Sequence, residues 1–194
     1  MIEKIAGELM NAEQIEIFEG TKEMNLSLGV AKLGNFRVNL FRQRASISIV
    51  VRYILGNIPP LDSLSLPPVL GDLVMERRGL ILIVGSTGSG KSTTIASMLD
   101  HRNATCTGHI LTIEDPIEYL FRHKKSIVNQ REIGMDTLGW GSALKNAMRQ
   151  APDCILIGEI RDQETMQAAI AYAQTGHLCL GTLHANNSYH ALNR

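Results

Sequence analysis

The chain has no excess of charge of either sign, because 19 Lys and Arg side chains are balanced by 19 Asp and Glu. Composition therefore gives no electrostatic case for nucleic acid or an anionic membrane, and any polyanion must be held by local sites. Cysteine is scarce. Cys106, Cys154 and Cys179 are odd in number and fit neither a metal-ligand spacing nor C-x-x-C. That usage predicts a reducing compartment, with thiols serving as small apolar residues, and hence a cytoplasmic protein. No apolar stretch approaches the length of a membrane span, and Met1-Ile2-Glu3-Lys4 is not followed by the apolar core of a signal peptide. Internal repeats and low-complexity segments are also missing. What remains, at 194 residues, is enough chain for one core of ordinary size or two small ones.

What is present is most specific at residues 79–93, GLILIVGSTGSGKST. An apolar strand, Leu80–Val84, breaks into Gly85, Ser86, Thr87, Gly88, Ser89, Gly90, Lys91 and Ser92, followed by Thr93 and a helix-forming stretch. This is a phosphate-binding P-loop with every required position filled. Its glycines let the backbone curl until the N–H groups point inward at phosphates, Lys91 reaches the β- and γ-phosphates, and the Ser92 hydroxyl ligates Mg²⁺. The helix that starts near Lys91 adds the positive end of its dipole to the same anion. The pattern predicts a nucleoside triphosphate site.

Two regions with different periodicity flank a join. Residues 1 to about 18 carry helical apolar spacing through Ile2, Ile5, Ala6, Leu9 and Met10. Alternation follows in Asn35–Arg42 and Ala45–Tyr53, where Phe36, Val38 and Leu40 and then Ile47, Ile49, Val51 and Tyr53 share a face, so two antiparallel strands are predicted, with a third at Asn25–Val30. Proline pairs at Pro59-Pro60 and Pro67-Pro68 mark a hinge, with the boundary near residue 60. The expected organisation is an N-terminal domain over 1–58, a linker over 59–66 and an α/β domain over 67–194. Beyond the join, buried strands at Leu80–Val84, Ile110–Ile113, Cys154–Ile157 and Leu178–Leu183 alternate with helices near 92–101, 141–150 and 163–174. That alternation predicts a mostly parallel sheet with helices on both faces.

A P-loop alone does not choose among phosphoryl-transfer enzymes. After Ile110–Ile113 stand Glu114-Asp115-Pro116-Ile117-Glu118, carboxylates at the C-terminal end of a parallel strand, where open α/β sheets place ligands. The run Cys154–Ile157 ends in Gly158-Glu159, so a glycine occupies the place where many P-loop enzymes carry a Mg²⁺-binding Asp, and Glu159 is left to work near the metal and the attacking water. Positioning water and stabilising spread charge is most of what phosphoryl hydrolysis asks of a protein. Glu114 competes with Glu159 for that role. His184 follows the strand Leu178–Leu183 on the phosphate end, which suits sensing of a γ-phosphate. His177 sits at the other end, where it suits subunit packing or a cap on the preceding helix.

The carboxylates after Ile113, the atypical Walker B strand and the histidine stretch from Thr175 to Asn187 together resemble the Asp box, Walker B and His box of the secretion ATPase superfamily, which powers type IV pili and type II secretion. Val128-Asn129-Gln130-Arg131-Glu132-Ile133-Gly134-Met135-Asp136-Thr137 is similar to the retraction branch, the PilT/PilU type. Arg149-Gln150-Ala151-Pro152-Asp153 and the residues around His177 lean towards PilU. The resemblance implies an ATPase with ATP and Mg²⁺, a RecA-like core and a preceding PAS-like α/β domain. It also implies that Phe36-Arg37-Val38-Asn39 supplies an arginine directed at the nucleotide, with a second at Arg52. The alternative for both is an ordinary solvated strand arginine.

Further implications concern assembly. Members of the superfamily act as hexameric rings whose PAS-like domain moves against the ATPase core, here about a hinge near Gly56–Pro60. The resemblance implies a homo-hexamer, a PilT-type ATPase as hetero-partner, an inner-membrane pilus platform protein as the driven element, and no nucleic acid. Members extend beyond both ends of this sequence, so the chain is expected to be a fragment with weak or absent ATPase activity of its own. Two other functions stay open: a pilus-assembly or type II secretion ATPase, and an ATP-binding accessory subunit with little activity.

Overall fold

The computed structural model describes residues 1–185, 189 and 191. The chain divides into two compact units, Met1–Gly56 and Asn57–Arg194.

In the first unit the N-terminal stretch, expected as one helix over residues 1–18, is two: α1, Ile2–Leu9, and α2, Ala12–Thr21. Met10 turns extended, and Asn11 restarts the helix through a capping box, its side chain accepting from Gln14 N while Asn11 N donates to Gln14 Oε1, both at 2.9 Å. Three antiparallel strands follow, β1 Glu23–Val30, β2 Gly34–Gln43 and β3 Ser46–Ile54, in the order β1-β2-β3. The register sets Leu26 opposite Val38 and Leu40 opposite Ile49. Ala6, Met10 and Phe18 close over Leu26, Val38 and Leu40 to make a small core. Val51 and Tyr53, expected on the buried face, are 56% and 54% exposed, on β3 at the edge of this sheet, although Val38 opposite Val51 is buried.

The second unit holds a five-stranded parallel sheet in the order β4-β8-β7-β5-β6. Its strands are β4 Gly79–Val84, β5 Gly108–Glu114, β6 Ser126–Glu132, β7 Cys154–Ile157 and β8 Leu178–Leu183. Alternate residues feed two cores. Leu111, Ile113, Ile155, Ile157 and Cys179 pack against α5, Trp140–Ala147, and α6, Gln163–Gln174. Ile110, Cys154, Leu156, Leu178 and Leu180 pack against α3, Val69–Met75, and α4, Lys91–Thr105. Each fully buried Ile, Leu or Met in these layers contributes roughly 1.5–3 kcal/mol relative to exposure. Burial also raises the Cys154 and Cys179 thiols to about 12, so both remain neutral apolar residues at ordinary pH.

Two features differ from expectation. Strand β4, read as buried, is partly exposed along its whole length, because it lies at an edge of the sheet with β8 on one side. The segment 59–66 belongs to the second unit, where Ser97 Oγ of α4 donates to Pro59 O at 2.7 Å and Leu61 packs on the core beneath α4. The prolines stiffen a stretch that is anchored to the P-loop helix, and the division between units falls at Gly56.

Candidate nucleotide-binding and catalytic site

Because all five strands are parallel, the segments leaving β4, β5, β7 and β8 emerge on one edge of the sheet, and the strand order decides which of them are neighbours. The P-loop follows β4, Glu114 ends β5, Glu159 follows β7 and His184 follows β8. With β8 between β4 and β7, His184 lies between the P-loop and Glu159.

The P-loop is built as its sequence requires. Gly90 caps α4 at φ 91°, a left-handed conformation that favours glycine, and the helix runs on for 15 residues from Lys91. Ser86 to Gly90 and Ser92 are exposed, while Lys91 is buried by its stem, with its ammonium donating to Gly85 O at 3.0 Å and Ser86 O at 2.8 Å. The loop thus holds a cation at the positive end of a long helix, an arrangement that only an anion relieves.

From Lys91 a line of polar contacts runs through the other motifs. Lys91 Nζ is 3.5 Å from His184 Nδ1, and His184 Nε2 is 3.5 Å from Glu159 Oε1. A lysine can only donate, so His184 accepts at Nδ1 and presents its Nε2 proton to the Glu159 carboxylate. Arg161 Nε then donates to Glu159 Oε2 at 2.8 Å, and Arg161 Nη1 reaches Asp115 Oδ2 at 3.4 Å. The carboxylate of Glu159 raises the guanidinium pKa of Arg161. P-loop, His box, Walker B and Asp box are therefore one contiguous network.

Glu114 is set apart from this line by burial. It is 7% exposed, and its Oε1 accepts from Thr112 Oγ1 at 2.6 Å and Gln130 Nε2 at 3.2 Å. Desolvation raises its pKa to about 7 against the lowering effect of those two hydrogen bonds. A carboxyl group poised there exchanges protons near neutrality, as general base chemistry needs.

The glycine of the atypical Walker B has a steric cause. Gly158 N donates to Ile113 O at 2.8 Å, and a Cβ at Gly158 would stand 3.1 Å from the Glu114 Cα and 3.2 Å from Ile113 O. Backbone fills the space that an Asp side chain would leave through.

Arg37 and Arg52 lie in the first unit, where they are register partners on β2 and β3. They stand on the face opposite Val38, Leu40 and Ile49, with Arg52 exposed and Arg37 half-buried. His177 makes a cap: its backbone N donates to Tyr172 O at 3.1 Å, and its ring Nδ1 lies 3.1 Å from Thr175 Oγ1 at the end of α6. Asn186 and Asn187, which close the histidine stretch, lie outside the described residues.

Residues 22–194 match the family model described as type II/IV secretion system protein. The chain belongs to this family. It is 51% identical over 96% of its length to the type IV pilus ATPase PilU of Pseudomonas aeruginosa, covering 49% of that protein. To the type IV pilus retraction ATPase PilT of the same organism it is 45% identical, over 96% of the chain and 54% of the relative. A crystal structure of the pilus retraction motor PilT with bound ADP superposes with a TM-score of 0.94 at 47% identity, covering 99% of this chain and 56% of that one. The chain spans about half the length of the relatives it matches. The secretion-family fold is thus the α/β fold read from the strand and helix alternation.

Sequence reasoning placed the four motifs at strand ends but did not find the residues that hold them. In the sequence Gln130 reads as part of a stretch that resembles one branch, and its contact with Glu114 comes from pairing of β5 with β6. Tyr119, whose hydroxyl is 2.9 Å from Thr93 Oγ1 of the P-loop, carried no signal beyond its position in the loop after the Asp box.

Proposed function

We propose that this chain carries the nucleotide-binding part of an ATP-hydrolysing motor subunit for type IV pilus retraction. The observation that supports it most is the continuous line Lys91, His184, Glu159, Arg161, Asp115 at one sheet edge, in a family whose similar members are named as pilus ATPases. Residues Gly85 to Thr93 hold the phosphates, with Lys91 on the β- and γ-phosphates. The Ser92 hydroxyl, exposed on the first turn of α4, fits a Mg²⁺ shared with those phosphates, since this ion is usually held by few protein groups plus substrate oxygens. Mg²⁺ would neutralise charge on the phosphoryl group in transfer.

Glu114 takes the proton from the attacking water. Glu159 orients that water near the metal and is itself held by Arg161 and His184. His184 touches both the lysine that grips the phosphate and the carboxylate that faces the water, so loss of the γ-phosphate changes its surroundings. Arg37 and Arg52 supply further positive charge for the phosphates. The two are register partners on one face, and the planar fork of a guanidinium suits a phosphate.

The working form is a homo-hexameric ring in the cytoplasm, paired with a PilT-type ATPase and acting on a platform protein of the inner membrane. No helix among the described residues is long and apolar enough to cross a membrane. The 194-residue chain on its own is a weak ATPase, since the arginines and the ring contacts act only in the assembly; robust Mg²⁺-dependent turnover by this chain alone would overturn that.

The test of the site is a pair of substitutions in the full-length protein, Glu114→Gln and Glu159→Gln. Each is expected to keep ATP binding and to lower hydrolysis about 100-fold or more. A variant with unchanged turnover would remove that glutamate from the catalytic set.

A further inference from the structure

The stretch Val128–Thr137, similar in sequence to one branch of the family, supplies none of the five residues of the polar line described above. Its strand explains why. On β6, Gln130 and Glu132 lie two residues apart, so they share a face, and both turn to the loop that leaves β5. Gln130 Oε1 accepts from Phe121 N at 2.9 Å, and Gln130 Nε2 donates to Tyr119 O at 2.8 Å. Glu132 Oε2 accepts from Ile117 N at 3.0 Å. Three backbone groups of the loop 117–121 are thereby fixed by two side chains of one strand.

The same Gln130 Nε2 reaches Glu114 Oε1 at 3.2 Å, sharing that oxygen with Thr112 Oγ1 at 2.6 Å. Both donors bond to the same carboxylate oxygen, and the Glu118 backbone hydrogen-bonds to the carboxyl group as well. The far end of the clamped loop returns to the P-loop, because the Tyr119 hydroxyl is 2.9 Å from Thr93 Oγ1. A single amide thus holds the carboxyl group and the loop that touches the phosphate grip.

We propose that Gln130 is a positioning residue that aims the Glu114 carboxylate at the attacking water and locks the loop 117–121 to the P-loop helix through Tyr119. This rests on the reading of Glu114 as the proton acceptor. An amide is suited to the task because it donates to the carboxylate and accepts from Phe121 N at once, which neither a lysine nor an aspartate can do. A carboxylate free to rotate would lose the geometry that makes proton transfer fast.

The test uses the full-length protein with Gln130→Leu, Glu114→Gln and the double variant, measuring kcat, KM for ATP and nucleotide binding on each. Gln130→Leu is expected to lower kcat about tenfold while KM and binding stay within about twofold. Added to Glu114→Gln, it is expected to lower kcat no further, since both act through one carboxylate. Unchanged kcat in Gln130→Leu overturns the proposal, and so does a multiplicative loss in the double variant. Full turnover by Glu114→Gln sinks the underlying reading instead, and is seen without reference to Gln130. Should Gln130→Leu fail to fold, Gln130→Glu carries the test. It keeps the acceptor for Phe121 N and replaces the amide donor with a second carboxylate oxygen facing Glu114 and Tyr119 O, so kcat falls about tenfold or more, and unchanged kcat overturns the proposal.

Discussion

Gly158 lies against the backbone of Glu114, so closely that a Cβ would stand 3.1 Å from the Glu114 Cα. The end of the Walker B strand and the Asp-box glutamate are therefore fitted to each other, and the glycine there is a packing requirement. Putting back the aspartate usual at this position is expected to harm the enzyme. Gly158→Asp, and to a lesser degree Gly158→Ala, should cost about 1–3 kcal/mol of stability by overpacking. The melting temperature should fall by several degrees, and kcat should fall with it because Glu114 is displaced. A variant as stable and active as the parent would show that the strand ends have room to shift.

The pH dependence follows from Glu114. Its folded-state pKa of about 7 lies above the ordinary carboxyl value of 4.5, with burial as the main cause. The folded chain therefore binds a proton that the unfolded chain has released between those values, and this favours folding at low pH. The contribution is full below about 4.5 and is lost as pH rises through about 7. Catalysis has the opposite sign, since a proton acceptor must be ionised, so kcat should climb through neutrality. Melting temperatures and kcat measured between pH 5 and pH 9, for the parent and Glu114→Gln, check both; the variant should lose its share of each slope.

In the first unit, the restart of the helix at Asn11 depends on reciprocal hydrogen bonds with Gln14. Asn11→Ala should destabilise this unit by about 1 kcal/mol, the usual value of such a cap. Amide hydrogen exchange at the start of α2 should quicken, while exchange in α4 stays as it was. Equal effects on both helices would contradict the local reading.

Much of this is legible in the sequence. The P-loop, the strand ends at Glu114 and Glu159, and His184 were found because buried parallel strands read as short apolar runs and because sheet topology places their ends together. Strand β6 was missed because Asn129, Gln130, Arg131 and Glu132 are polar and an edge strand has little apolar signature. Helix α3 was missed because its seven residues follow Pro67-Pro68 and give too few turns for a periodic signal. Residues 1–18 read as one helix because Met10 continues the apolar spacing, and the capping box at Asn11 outweighs that periodicity. The partners of each site residue, Thr112 and Gln130 above all, depend on pairing between distant strands, which residue spacing does not encode.

The function proposed for the full-length protein is that of a retraction engine whose force comes from ATP held by Lys91. The most direct measurement compares pilus retraction in cells carrying Lys91→Ala in the full-length protein with retraction in cells lacking the protein, with matched expression of the variant. The two are expected to be equally defective, and the variant to have lost ATP binding. Retraction restored to the normal level by Lys91→Ala would contradict that function, and would make the protein a scaffold that carries a nucleotide site.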